Sequence, residues 1–153
     1  MKTKLIKNPK VNNGQEILIH YPQPDKEFMD QVEEIFGQEH YKEGKRKNGV
    51  YVDIGANIGL TTLYFKDCAR KYYAVEPSKA CFEALKLNTA GLHNVELFNF
   101  AISPNDGEDY LVTIDSNTPP QSFFAFGSIQ GRELVTCKTL DTFFEENKLE
   151  HVD

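Results

Sequence analysis

The chain has 153 residues, 40% hydrophobic and 12% aromatic, which is apolar material enough for a folded core and too much for a disordered chain. A formal net charge of -6, from 23 acidic against 17 basic residues, disfavours general binding to nucleic acid. No apolar run approaches the roughly 18–20 residues that span a bilayer, and Met1–Lys10 carries lysines with no apolar segment behind them, so neither a membrane span nor a secretory leader is expected.

The N-terminal part, residues 1–48, reads as two short strands, Lys4–Ile6 and Glu16–His20, around the turn residues Asn12-Asn13-Gly14, followed by a helix. Pro22-Gln23-Pro24 breaks the chain and Asp25 is placed to cap that helix. Its apolar face is Phe28, Met29, Val32, Ile35 and Phe36, and Gly37 can end it. The stretch from Lys42 to Gly49 is polar and without periodicity, a solvated connector. From residue 49 to 153 the pattern becomes strand, glycine turn, helix, strand, helix, strand. Val50–Ile54 reads as a buried strand, with Leu60, Leu63, Tyr64 and Cys68 on one side of the helix behind it. Tyr72–Val75 is a second strand, Ser78 a cap for a helix holding Cys81, Phe82 and Leu85, and Val95–Ile102 a third strand. Strands alternating with helices predict right-handed crossovers in an open, doubly wound α/β sheet of Rossmann-like type. Tyr110–Ile114 and Glu133–Leu140 read as an added β-hairpin flanking a long loop that holds Pro119-Pro120 and the cluster Phe123, Phe124 and Phe126. Asp141 is placed to cap a last helix containing Phe143 and Phe144.

The informative run is Val52-Asp53-Ile54-Gly55-Ala56-Asn57-Ile58-Gly59, where a strand turns into a helix. Glycine at 55 and 59 lets a ligand approach the backbone and lets the helix start close to the sheet. Asn57 is the non-glycine residue best suited to a left-handed turn. Glu76, closing the second strand, is placed to accept hydrogen bonds from both hydroxyls of an adenosine ribose. Dinucleotide sites use G-x-G-x-x-G to hold a pyrophosphate on bare amides. Here the middle glycine is missing, and Asp53 precedes the turn, an acid that repels pyrophosphate and suits a ligand bearing an ammonium group. S-adenosyl-L-methionine (SAM) has that group, a carboxylate for the helix amides, and a sulfonium.

The segments VYVDIGANIGLTTLYF, AVEPSKACFEALKLN, NVELFNFAIS and VTCKTLDTFF, spread over residues 49 to 153, resemble the FkbM family of SAM-dependent methyltransferases. The resemblance implies that Asp53, Gly55, Ala56, Asn57 and Gly59 form the methionine and ribose side of a SAM pocket. Glu76 would bind the ribose, and Asn99, Phe100 and Ala101 would lie near the adenine. It also implies methylation of a hydroxyl oxygen on a small molecule such as a sugar or polyketide. In the family the chain continues into a fourth core strand beside the first, so an incomplete sheet is expected here, with an exposed edge that draws two copies into a homodimer.

No catalytic base stands out: His20, His40, His93 and His151 are scattered, and Tyr41 precedes the first core strand. Cys68, Cys81 and Cys137 fit neither a disulfide framework nor a zinc knuckle, so free thiols, no metal and a cytoplasmic setting are expected. Two other readings stay open, an NAD(P)-dependent oxidoreductase and a non-catalytic domain that keeps the fold.

Overall fold

A computed structural model of the chain describes residues 1–7, 14, 16–38, 40–113 and 129–153. The expected turn at Asn12-Asn13 and the aromatic cluster Phe123, Phe124 and Phe126 lie outside the described residues. Within them the architecture is mixed α/β, built on a three-stranded parallel sheet. Strands β3 (Gly49–Ile54), β4 (Ala69–Val75) and β5 (Val95–Phe98) stand side by side in that order. Helices α2 (Leu60–Phe65) and α3 (Lys79–Asn88) make the crossovers between them. Asp53 pairs in register with Ala74 and Ile54 with Val75, so the strands end level and their following loops gather at one edge.

Both faces of the sheet are covered, which is why the second half of β4, Tyr72 to Val75, is apolar without a break. Tyr72 and Ala74 point into a cluster with Leu63 and Tyr64 of α2 and Ala84 and Leu85 of α3. Tyr73 and Val75 point the other way, onto Phe100 and Phe143, the latter from helix α4 (Leu140–Asn147). The first cluster also takes in the N-terminal part: Ile6 of β1 (Lys2–Lys7), Ile19 of β2 (Glu16–Tyr21) and Phe28 of α1 (Asp25–Val32). β1 and β2 form an antiparallel hairpin, and α1 runs on into a wider π turn at Glu33–Gly37.

Several local expectations are corrected. Pro24 occupies the cap position of α1, and Asp25 sits in the first turn, paired with Lys2 at 2.8 Å. Cys68 lies beyond the end of α2 at Phe65. Ser78 holds the cap position of α3 without a side-chain cap bond. Thr139, not Asp141, caps α4, accepting a hydrogen bond from the Thr142 amide, because a cap must precede the first turn to reach its free N–H groups. The expected third strand breaks at Asn99-Phe100. Its last two residues, β6 (Ala101–Ile102), leave the parallel sheet and pair with β8 (Gly131–Lys138), which also pairs antiparallel with β7 (Gly107–Thr113).

The outer edge of β3 is met by the last residue: Asp153 N–H donates to the Val50 carbonyl at 2.8 Å, and Val50 N–H donates to Asp153 Oδ2 at 2.9 Å. No helix among the described residues is long and apolar enough to cross a membrane.

Candidate functional site

Ligands of open α/β sheets bind where the strands end at their carboxyl termini. Here that edge carries Asp53 at the end of β3, the turn 55–59, Glu76 after β4 and Asn99 after β5. The turn owes its shape to three left-handed residues, Gly55 (φ 83°), Asn57 (φ 51°) and Gly59 (φ 86°). The two glycines serve different ends. A methyl group on Gly55 would meet nothing within 4 Å, so this glycine faces open space. A methyl on Gly59 would sit 2.6 Å from Leu85 Cδ1, so this one lets α2 begin against α3.

Four of the turn's five amides, all but that of Ile58, donate to groups of the protein itself. Gly55 and Ala56 N–H groups both donate to the Val75 carbonyl, at 2.9 and 3.0 Å, and Gly59 N–H donates to the Ala56 carbonyl at 2.9 Å. Asn57 N–H donates to Glu76 Oε2 at 2.8 Å, while Ser78 N–H donates to Glu76 Oε1, also at 2.8 Å. Glu76 is thereby fixed between the turn and the start of α3, with a lone pair on each oxygen still free for a further donor. Burial pushes its carboxyl up to about 7, against the pull of the two amides, with Asp53 and Glu133 adding smaller upward pushes.

Asp53 is braced from two sides. Thr61 Oγ1 and the Tyr72 hydroxyl both donate to its Oδ2, at 2.5 and 2.7 Å. Burial raises its carboxyl above the ordinary range, and these two donors oppose that rise. The Tyr72 hydroxyl is raised in turn by its own burial and then by the Asp53 charge.

Three cavities meet at Gly55. One of about 230 Å³ is walled by Asp53, Asn57 and Thr61 on one side and by Gln31, Glu34 and Tyr41 of the N-terminal part on the other. A second, about 240 Å³, lies between Asn57, Glu76, Pro77 and Cys81. Cys81 forms part of its wall with its thiol pushed up to about 12, by burial first and the Glu76 charge second. The third, about 130 Å³ and mainly apolar, is lined by Pro77, Phe100, Ala101 and Leu111. Asp53 and Glu76 thus border adjoining hollows of one cleft. One buried polar atom along it, Asn57 Oδ1, lacks a partner among the described residues, which suits a ligand bringing hydroxyl or N–H donors.

Of the residues expected near an adenine, Asn99 has its amide committed to the Glu76 and Pro77 carbonyls, at 2.8 and 3.0 Å. Phe100 packs its ring against Phe98 and Phe143 while also lining the apolar recess. Sequence reasoning missed Thr61 and Tyr72, the braces of Asp53, and the wall formed by Gln31 and Glu34. A threonine in the first turn of a helix behind a strand-end acid was the available signal for Thr61; Tyr72 looked like any other core aromatic. Among the described residues no group of His, Cys, Asp and Glu could hold a metal ion.

The model of the Methyltransferase FkbM domain matches residues 53–153, a span that holds both carboxylates, the turn and all three strand ends. No curated protein matches the chain.

Proposed function

The chain belongs to the FkbM methyltransferase family, and on that premise we propose that it takes SAM as its methyl donor, in a Rossmann-like arrangement of the class I methyltransferase type, and methylates a hydroxyl oxygen of a small molecule. The observation that carries this reading is Glu76: a buried carboxylate, held by two backbone amides, beside the unpartnered Asn57 Oδ1. A ribose diol supplies the hydroxyl donors such a group lacks. Asp53, braced by Tyr72 and Thr61, keeps negative charge on the other side of the turn, where it favours a cationic ligand. The donor's amino-acid end would sit between Asp53 and the N-terminal wall, and its adenine by Pro77, Phe100 and Ala101.

When bound, the donor supplies a methyl carbon made electrophilic by its sulfonium. The residues contribute alignment and exclusion of water, the main task where the leaving group is already activated. A pyrophosphate, the requirement of the rival oxidoreductase reading, finds little here: the amides of Gly55, Ala56, Asn57 and Gly59 are taken, and two acids face the cleft. Thermal unfolding with S-adenosylhomocysteine tests the proposal. Ligand at about 100 times its Kd stabilises by about 2.7 kcal/mol, a rise of several degrees in Tm, and Glu76→Ala abolishes it. A rise with NADH and none with S-adenosylhomocysteine would reverse the reading.

A further inference from the structure

Asn88, in the last turn of α3, is 8% exposed and makes three side-chain hydrogen bonds that join three parts of the chain. His20 N–H in β2 donates to Asn88 Oδ1 at 2.7 Å, and Asn88 Nδ2 donates to the His20 carbonyl at 2.8 Å. The side-chain amide thus pairs with the edge of β2 as a neighbouring strand's peptide would. The second Nδ2 hydrogen goes to the Ile58 carbonyl, also at 2.8 Å. Ile58 lies between Asn57 and Gly59, the two left-handed residues whose geometry aims the Asn57 amide at Glu76. One amide group therefore connects the N-terminal hairpin to the turn.

The N-terminal part is also one wall of the cavity over that turn, through Gln31, Glu34, Ile35 and Tyr41. A displacement of the hairpin relative to the turn changes the width of that cavity. Apolar contact alone leaves such sliding cheap, because it has no preferred direction, whereas three short hydrogen bonds at a buried amide fix both distance and angle. We propose that Asn88 is a positioning residue of the donor site: it bolts the N-terminal part to the glycine turn and so sets the cavity that receives the donor's amino-acid end. This rests on the donor reading given above and goes beyond it in giving Asn88, which does not line the cavity, a part in setting its width.

The test compares S-adenosylhomocysteine with 5′-methylthioadenosine, which keeps the adenosine and thioether but lacks the amino-acid end. Calorimetric titration of the whole chain is expected to show wild type favouring S-adenosylhomocysteine. Asn88→Asp, whose carboxylate cannot donate to the two carbonyls, is expected to cut that preference roughly tenfold while methylthioadenosine affinity moves by less than about twofold. A purely structural Asn88 would lower Tm and leave the ratio of the two affinities intact, and that result overturns the proposal. Hydrogen exchange on the unmutated chain decides the matter without any substitution: S-adenosylhomocysteine should slow exchange of the His20 amide and methylthioadenosine should not. Equal effects of the two ligands there would overturn the inference alone, whereas wild type binding neither ligand would overturn the donor reading and this inference with it.

Discussion

Replacing Glu76 by glutamine should convert a pH-dependent chain into a flatter one. Glu76 is 7% exposed as a residue, and burial pushes its carboxyl up to about 7 in the folded chain against an ordinary value of 4.5. The fold therefore holds its proton more tightly than the unfolded chain does. Stability from this group is greatest below 4.5, falls as pH rises, and reaches its floor above 7. The interval between those two values is worth about 3 kcal/mol. A glutamine side chain has no proton to lose, so in Glu76→Gln that fall disappears. Its NH₂ must instead face either the Asn57 or the Ser78 amide, a cost of about 1–3 kcal/mol that is the same at every pH. Urea unfolding followed by circular dichroism, from about pH 4.5 to 8, separates the two effects, because the constant cost drops out of the pH difference. Wild type should lose about 3 kcal/mol more than Glu76→Gln over that range. Parallel curves for the two chains would refute the assignment of Glu76 as a buried, reluctantly ionised carboxylate. The same argument predicts that the Tm rise caused by S-adenosylhomocysteine is larger at pH 8 than at pH 5.5 in wild type, since ribose hydroxyls donate best to the ionised form.

Two further pairs of substitutions probe local geometry. Gly59→Ala should destabilise by about 3 kcal/mol or more, through a left-handed φ of 86° and a methyl 2.6 Å from Leu85 Cδ1, while Gly55→Ala should cost only about 1 kcal/mol of conformational strain. Equal Tm losses for the two would contradict the separate roles given to these glycines. Thr139→Ala should cost about 1 kcal/mol by removing the α4 cap, and Asp141→Ala only a few tenths; denaturant midpoints in the reverse order would return the cap to Asp141.

The parts of the site that were legible in the sequence are those made by neighbours in the chain. Alternating strand and helix patterns came from backbone periodicity, and the glycine turn from the left-handed conformations that Gly55, Asn57 and Gly59 accept. Asp53 and Glu76 stood out by position, one two residues before the first glycine of the turn and the other closing the second strand. The break of the expected third strand at Asn99 was invisible, since NVELFNFAIS has the same strand-like character on either side of it. Ala101 and Ile102 pair with Cys137 and Lys138, so their place was settled by a strand far along the chain.

Local sequence therefore determined that a glycine turn flanked by two carboxylates would form, because sterics within a few residues decide which backbone shapes are open. Tertiary structure alone decided what surrounds it: Tyr72 bracing Asp53, Asn88 reaching from α3 to His20 and Ile58, and the wall of Gln31, Glu34 and Tyr41 closing the cavity. A buried polar group must find a partner somewhere, but its own neighbourhood in sequence does not say where; packing of the whole chain chooses among the candidates.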